Sequence, residues 1–380
     1  MSYQTEYPAR SLAAFAALQA SVGVGRRVYN LKPSNTRKSR RGIGRVLSGQ
    51  GRFTTAFVGD SNTAGVGDDG TATGVISQAF PAHLVARLNA VGVPAEDSAM
   101  FADHGFTTKA NLLAYDARIS LGASWDVTSL KTVGGRLLQH TGAGTDAANF
   151  TPDKAFDTIE TIYYRGTNGQ FGIGIDGGAA IATINSSGAG AILKSTQTCA
   201  LDTHTVNITP VGDGPVQLIG IRTYDSTTPH VSVINLGWGG SKAGDWAATG
   251  GLAPLTGLGV IAPDDIHICL GANDWINGTN PATFRTDYQT VITAAMAIGD
   301  VKLYLPVPTN PASTPYATQQ VYLDIIADLA AANDLPLIDA NSRVGDWTTA
   351  NGLGLYYDNW HIKAPAHVDL ALMVAKTFSL

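Results

Sequence analysis

The sequence predicts an α/β fold whose chain is interrupted by an all-β region. After residue 230, strands alternate with helices, which is typical of a parallel sheet covered on both faces. Between about residues 124 and 228, short alternating runs separated by Gly- and Ser-rich turns replace the helical periodicity, as in an antiparallel sandwich. We therefore expect a leader over residues 1–50, one α/β domain over 51–122 plus 230–380, and an inserted, jelly-roll-like β-sandwich over 123–229.

The first elements of the α/β part are the best defined. Residues 53–58 are β-branched and aromatic and predict a buried strand, and residues 80–91 have helical spacing with Pro81 in the first turn. Later strands are predicted at 231–236, 266–270, 301–305 and 335–338, and helices at 282–298, 316–332 and 364–378. In the inserted region, strands are predicted at 158–164, 171–175, 189–193, 203–208 and 216–221.

The leader carries two features without assigned chemistry. Residues 11–24 are apolar but lack a basic start, so they predict an amphipathic helix rather than a secretory signal. A basic cluster follows, which an anchor or a nucleic-acid tail would also explain but which is more typical of a solvated helix face. Its members are Arg37, Lys38, Arg40, Arg41 and Arg45.

Composition excludes several classes of protein. Of the 380 residues, 44% are hydrophobic and 14% are charged, and the formal net charge is −5, so a disordered chain and a nucleic-acid partner are not expected. No run of 18 apolar residues predicts a membrane span. The histidines lack paired ligand spacing, so no metal is expected. Cys199 and Cys269 allow one disulfide at most and are interpreted as inert, small hydrophobic residues.

Four loops beyond predicted strands or before the last helix contain polar residues flanked by glycine or tryptophan. Ser61 follows the first strand, and Asp358 and His361 lie three residues apart before the last helix. A serine becomes nucleophilic beside a base that a carboxylate orients, and these three residues supply that set. The backbone N–H groups of Ser61 and Gly240 and the side-chain amide of Asn273 are candidate donors to an oxyanion.

Each feature also has an ordinary structural interpretation. A serine in a Gly-rich turn is usually turn chemistry, and an asparagine before an aspartate is usually a cap or an Asx turn. His361 would also fit as a histidine at a helix start. The four loops together, in one chain order at the edges of one sheet, favour a hydrolytic site.

These blocks resemble the SGNH hydrolase superfamily, also called GDSL esterases and lipases. The similarity runs through VGDSNTAG, INLGWGGS, LGAND and DNWH, and covers residues 51–122 and 230–380. It implies a three-layer α/β/α flavodoxin-like domain that hydrolyses carboxylic esters through an acyl-serine intermediate, without metal or cofactor. In block two, Gly237, Gly239 and Gly240 could each present an N–H group, and Ser241 immediately after Gly240 makes Gly240 the best match. Asn62 replaces the usual Leu or Ile after the serine, and we expect little effect because its side chain is not a catalytic group.

The substrate is predicted from aromatic residues and from the insertion. Trp238, Trp246, Trp275 and Trp360 lie in or beside the blocks and suit sugar rings, although packing under loops explains them equally. Asp60 and Asp274 flank Ser61 and Asn273 and are candidate supporting residues. The inserted sandwich resembles carbohydrate-binding-like modules of O-acetylesterases in the superfamily, so the leading hypothesis is a glycan O-acetylesterase acting on an acetylated polysaccharide.

Two alternatives stay open. One is a short-chain esterase of broad specificity acting on other acyl esters, and the other is a glycan-binding phage tail or adhesion module that has lost catalysis. The leader resembles that of tail-associated members of the superfamily, which would place the protein on a virion or outside the cell. A homo-oligomer would fit a tail location, but the sequence leaves the oligomeric state open.

Overall fold

The computed structural model describes residues 27–142, 144–166, 169–212, 214–313 and 319–378, and the helix expected at 11–24 lies outside them. Over these ranges the helices α1 to α12 are Arg37–Leu47, Ser61–Ala64, Phe80–Ala90, Lys109–Tyr115, Ala243–Trp246, Pro254–Ile261, Ala272–Ile276, Pro281–Ile298, Gln320–Ala332, Ala340–Val344, Trp347–Gly352 and Ala364–Ala375. Short 3₁₀ turns occur at Ile76–Gln78, Pro311–Ser313 and Lys376–Phe378.

Strands β1 to β18 form three sheets in the described part of the chain. They are Val28–Tyr29, Phe53–Gly59, Ala95–Glu96, Ala99–Phe101, Ile119–Leu121, Trp125–Thr132, Gly135–His140, Ala148–Phe150, Phe156–Arg165, Gln170–Ile175, Ala182–Asn185, Ala191–Asp202, Val206–Val211, Val216–Tyr224, Val231–Gly237, Asp265–Cys269, Asp300–Leu305 and Leu337–Asp339. The central sheet has seven strands in the order β1-β18-β17-β16-β2-β15-β3.

The central sheet has flavodoxin-like order. Strands β15, β2, β16, β17 and β18 pair in parallel. Numbered along the chain, these five strands run second, first, third, fourth, fifth, and β3 and β1 are added as two-residue edges. The order reverses between β2 and β16, and open α/β sheets bind their ligands at such a switch point.

Helices cover both faces of this sheet. All seven residues of β2 are buried, with Phe53 and Phe57 in one apolar cluster and Ala56 and Val58 in another. The first cluster includes residues of α1, α3 and α12, and the second includes residues of α6, α8 and α9. The resulting three layers explain the continuous apolar run of β2, because a parallel strand covered on both sides has no polar face.

Part of the expected leader belongs to the α/β unit. Strand β1 pairs antiparallel with β18, and helix α1 places Ile43 and Val46 in the core beside Phe53. The cationic face of α1 points outward: Arg37, Lys38, Arg40 and Arg41 are exposed and Arg45 is half-buried. The basic cluster is therefore a solvated helix face, as its spacing with apolar residues predicted.

The chain between β3 and β15 forms two antiparallel sheets. One has the order β11-β10-β13-β8-β5, and the other has the order β12-β9-β14-β7-β6, with β4 paired to β14. Residues from both sheets share an apolar cluster that includes Trp125, Phe150, Phe171 and Leu218. The opposite face of the six-stranded sheet reaches the α/β core, where Val133 and Ile192 lie in one cluster with Leu258 of α6. Jelly-roll connectivity stays a prediction.

Several expected boundaries shift. The antiparallel pairing of the strand-rich region begins at β4, residues 99–101, and not at residue 123, because β4 pairs with β14 and β5 pairs with β8. Strand β12 is longer than the expected 189–193 because it follows β9 from Arg165 back to Phe156. None of the helices over the described ranges is both long and apolar enough to cross a bilayer.

Candidate active site

The predicted polar loops meet at the switch point of the central sheet. Ser61 begins the four-residue helix α2 immediately after β2, and Asn273 lies in α7 just after β16. Strands β2 and β16 are adjacent and parallel, so their carboxyl ends place both residues at the same edge. Gly240 follows β15 on the other side of β2. The strand order thus brings together three segments that are distant in the sequence.

Ser61, His361 and Asp358 form one chain of hydrogen bonds. The Oγ of Ser61 lies 2.9 Å from Nε2 of His361, and Nδ1 of His361 lies 2.7 Å from Oδ2 of Asp358. With Nδ1 protonated, the ring donates to the carboxylate and presents Nε2 as the acceptor of the serine proton. This arrangement can activate the Ser61 hydroxyl as a nucleophile.

Asp358 is held in its ionised form. Burial opposes ionisation, but the hydrogen bond from the His361 ring and the backbone N–H groups of Trp360 and His361 outweigh it, and the pKa of this carboxyl lies below its usual range. Oδ1 of Asp358 accepts both N–H groups at 2.8 Å. The carboxylate therefore orients the imidazole and shapes the loop that carries it.

Asp60 supports Ser61 from the other side. Its Oδ1 accepts the N–H of Asn62 at 3.0 Å, which caps helix α2. Burial raises the pKa of Asp60 to about 6, against the opposing effects of the Asn62 hydrogen bond and of His361. A buried carboxyl thus fixes the start of the helix on which Ser61 lies.

Gly240 is the block-two glycine whose N–H is available. The N–H of Gly237 donates to Oδ1 of Asn235 at 2.9 Å, and the N–H of Gly239 donates to the carbonyl of His104 at 2.8 Å. Within the described part of the chain, the N–H groups of Gly240 and Ser61 have no protein acceptor. Gly240 has a φ of 76°, a left-handed conformation that costs a glycine little.

Side chains connect the three loops. Nδ2 of Asn273 donates to the carbonyl of Ser241 at 3.1 Å, which leaves its second N–H for another acceptor. The hydroxyl of Ser241 donates to the carbonyl of Gly59 at 3.0 Å. Oδ2 of Asp274 accepts the N–H of Ala243 at 3.0 Å, and burial raises the pKa of Asp274 to about 6. Asp274 therefore holds the loop after β15 against the loop after β16.

A cavity of about 310 Å³ opens above these residues. Three of its lining residues are apolar, namely Ala272, Ile276 and Trp360, and the others are polar or glycine. The polar residues are Asp60, Ser61, Asn62, Asn273, Asn277 and His361, and the glycine is Gly240. The cavity therefore combines a small apolar wall with three asparagine side chains.

Three of the four predicted substrate tryptophans do not line this cavity. Trp246 is fully buried, and Trp238 and Trp275 are 2% and 3% exposed, because all three pack in the core beneath the loops. The ring centroids of Trp238 and Trp246 lie 6.4 Å apart. For these three residues the substrate prediction is wrong and the packing interpretation holds. Trp360 is half-buried and lines the cavity beside His361.

Sequence reasoning missed several residues of the site. The amide of Asn62, expected to matter little, donates to the carbonyl of Trp360 and accepts from the N–H of Ile362. His104 supports the loop after β15 through its carbonyl and through Nδ1, which lies 2.8 Å from the carbonyl of Gly237. A polar residue where the superfamily has Leu or Ile was the available signal for Asn62. For His104 the local sequence holds no such signal.

Comparisons with known proteins agree with this arrangement. Residues 220–367 match the model of the GDSL-like lipase/acylhydrolase family. A solved peptidoglycan O-acetylesterase shares the fold, with a TM-score of 0.68 and 15% identity over 93% of this chain and 98% of that chain. No curated protein sequence matches the chain.

Two other solved structures have lower TM-scores. A family two carbohydrate esterase from Cellvibrio japonicus has a TM-score of 0.30 and 12% identity over 74% of this chain and 98% of that chain. A lipase/acylhydrolase from Enterococcus faecalis has a TM-score of 0.33 and 26% identity over 39% of this chain and 75% of that chain.

The matched range contains Gly240, Asn273, Asp358 and His361, and the structure brings Ser61 from outside that range into contact with His361. Residues 220–367 are thus similar to GDSL-like lipases and acylhydrolases, and the chain shares the fold of the peptidoglycan O-acetylesterase.

Proposed function

We propose that the protein is a serine esterase that removes acetyl groups from a glycan. The observation that carries this proposal is the chain of hydrogen bonds from Ser61 through His361 to Asp358, which lies at a small cavity beside two free backbone N–H groups. Activated nucleophile and oxyanion donors at one place are the two requirements of acyl transfer.

The geometry supports a two-step reaction. Nε2 of His361 takes the proton of Ser61 as Oγ attacks the ester carbonyl carbon, and the carbonyl oxygen becomes an oxyanion. The N–H groups of Ser61 and Gly240 and the amide of Asn273 stabilise that charge. The alcohol leaves with the proton from His361. A water molecule, activated by His361, then hydrolyses the acyl-serine and releases the acid.

The cavity favours a short acyl group on a polar alcohol. Its apolar wall of Ala272 and Ile276 is small, which suits an acetyl methyl better than a long chain. The amides of Asn273 and Asn277 and the ring of Trp360 lie at the same opening. Amides bond hydroxyl groups and aromatic faces stack on sugar rings, so a glycan alcohol fits this rim.

We assign the strand-rich region expected at 123–229 the role of a carbohydrate-binding-like unit. Residues Lys194, Thr196 and Thr198 on β12 are exposed and polar, and such a face can contact a polymer beyond the acetylated sugar. Under this proposal the region raises activity on polymers without contributing to the chemistry at Ser61.

The test is acetate release from acetylated xylan, pectin, peptidoglycan and bacterial capsule, beside 4-nitrophenyl acetate, with Ser61→Ala as control. Release from a polymer that is lost in Ser61→Ala supports the proposal. Activity on the small ester alone would replace it with the short-chain esterase of broad specificity. Binding to a polymer without any ester cleavage would favour a glycan-binding module instead.

A further inference from the structure

Asn62 connects the nucleophile helix to the histidine loop. Its Nδ2 donates to the carbonyl of Trp360 at 3.1 Å, and its Oδ1 accepts the N–H of Ile362 at 3.2 Å. Trp360 and Ile362 are the residues immediately before and after His361. One side chain therefore holds the backbone on both sides of the imidazole.

Among the other hydrogen bonds of this loop, three act within it, and Asn310 bonds Asn359 from outside it without contacting helix α2. Oδ1 of Asp358 accepts the N–H groups of Trp360 and His361, and the N–H of Tyr357 donates to the carbonyl of His361 at 2.8 Å. These bonds fix the shape of the loop, but they do not set its distance from Ser61. The amide of Asn62 spans that gap, because Asn62 follows Ser61 directly on helix α2.

The backbone of Asn62, at the start of helix α2, is itself held in place. The backbone N–H of Asn62 is held by Oδ1 of Asp60 at 3.0 Å, and Asp60 is 3% exposed. The helix cap, the Asn62 amide and the loop carbonyl thus form one continuous set of hydrogen bonds. A leucine at residue 62 has the same number and branching of side-chain heavy atoms but can make neither of the two side-chain bonds.

We propose that Asn62 is a positioning residue that keeps Nε2 of His361 within proton-transfer distance of Ser61. The proposal rests on the esterase function given above. A displacement of about 1 Å at a reacting group costs on the order of 100-fold in rate. Loss of both Asn62 bonds therefore lowers kcat by about 10- to 100-fold, while KM changes by less than about 3-fold, because the acyl site keeps its walls.

The test compares three variants with 4-nitrophenyl acetate as substrate. Asn62→Leu removes both bonds. Asn62→Asp keeps the acceptor for the N–H of Ile362 but places a carboxylate beside His361, which favours the protonated imidazole and moves the acid limb of the kcat/KM profile to higher pH. Asn310→Leu is the matched control, because Asn310 bonds Asn359 of the same loop at 2.9 Å without flanking His361.

We expect Asn62→Leu to lower kcat well beyond Asn310→Leu at equal thermal stability, and Asn62→Asp to shift the pH profile. Equal kcat values in the two leucine variants, or a wild-type kcat in Asn62→Leu, would overturn the proposal. A crystal structure of Asn62→Leu decides the matter without turnover: a separation of about 2.9 Å between Ser61 Oγ and His361 Nε2 would also overturn it. If wild type cleaves no ester, the esterase function fails, and that structure still tests the positioning role.

Discussion

Nε2 of His361 lies 2.9 Å from Oγ of Ser61, although 300 residues separate the two in the chain. Ser61 follows β2, and His361 precedes α12, which packs with α3 on one face of the central sheet. The chain between Ser61 and His361 also forms the two antiparallel sheets, and their strands take no part in the hydrogen bond between these two residues. The central sheet therefore fixes the geometry of this pair, and the strand-rich region is added at its side.

Replacing Ser61 or His361 should abolish most of the proposed activity. We expect Ser61→Ala and His361→Ala each to lower kcat for 4-nitrophenyl acetate by at least about 100-fold, because proton transfer and covalent catalysis both depend on this pair. Circular dichroism and thermal unfolding check that the fold is retained. A well-folded variant with wild-type turnover would refute the assignment. The double variant should be no slower than the worse single variant, because the two residues act as a unit.

Removing an oxyanion donor slows the chemistry more than binding. Asn273→Ala removes the amide near Gly240, and we expect kcat to fall by about 100- to 1000-fold with a smaller change in KM. Steady-state kinetics measure both values. Asn277→Ala is a useful comparison, because Asn277 lines the same cavity and its amide donates to the carbonyl of Asn273. A similar loss of kcat in both variants would contradict a specific role for Asn273.

The buried carboxyl of Asp60 makes folding stability depend on pH. Burial raises its pKa to about 6 from 3.8, so its contribution to stability is present below about pH 4 and is lost as pH rises through about 6. Asp60→Asn avoids this loss. Relative to wild type, its free energy of unfolding should rise by on the order of 2–3 kcal/mol between about pH 4 and pH 8, as measured by urea unfolding.

Asp346 serves as a control because its contribution to folding stability should change with pH in the opposite direction to that of Asp60. This exposed carboxylate caps α11, and hydrogen bonds from Thr349 hold its pKa below the usual value. Its contribution to stability is present at neutral pH and is lost as pH falls through the folded-state pKa. Asp346→Asn should therefore lose stability relative to wild type as pH rises from acid to neutral. The same trend in both variants would rule out burial as the cause at Asp60.

Replacing two different tryptophans should affect two different properties, folding stability at Trp246 and substrate binding at Trp360. Trp246 is fully buried, and Trp246→Ala should lower the free energy of unfolding by about 3–5 kcal/mol. Trp360→Ala keeps the backbone carbonyl that Asn62 contacts, and it should raise KM for an acetylated glycan by about 10-fold with a much smaller loss of stability. Unfolding curves and polymer kinetics separate the two effects. An unchanged KM in Trp360→Ala would remove this residue from the substrate site.

The sequence predicts which loops meet, because the carboxyl ends of neighbouring parallel strands lie at one edge. Ser61, Gly240 and Asn273 each follow a strand that local patterns predict, and the structure shows that these three strands are adjacent. Local sequence patterns do not predict which loop residues are buried. Trp246 lies next to the site in sequence but is covered by tertiary packing, which no local pattern records.

Long-range contacts explain the remaining differences. Asn62 bonds a loop 300 residues away, and His104 bonds the loop after β15, so the partners of neither residue can be identified from the neighbouring sequence. Strand β4 has three residues and strand β3 has two, too few for a periodic pattern to predict. These short strands exist because longer neighbours provide pairing partners for them.

The identity of the nucleophile is tested most directly by covalent labelling. Wild-type protein is incubated with a fluorophosphonate, and the modified residue is located by peptide mass spectrometry, with Ser61→Ala and His361→Ala treated in parallel. We expect one adduct per chain on Ser61, none in Ser61→Ala, and labelling slowed by at least about 100-fold in His361→Ala. Ester hydrolysis by a protein whose adduct lies on another residue would contradict the assignment of Ser61 as the nucleophile.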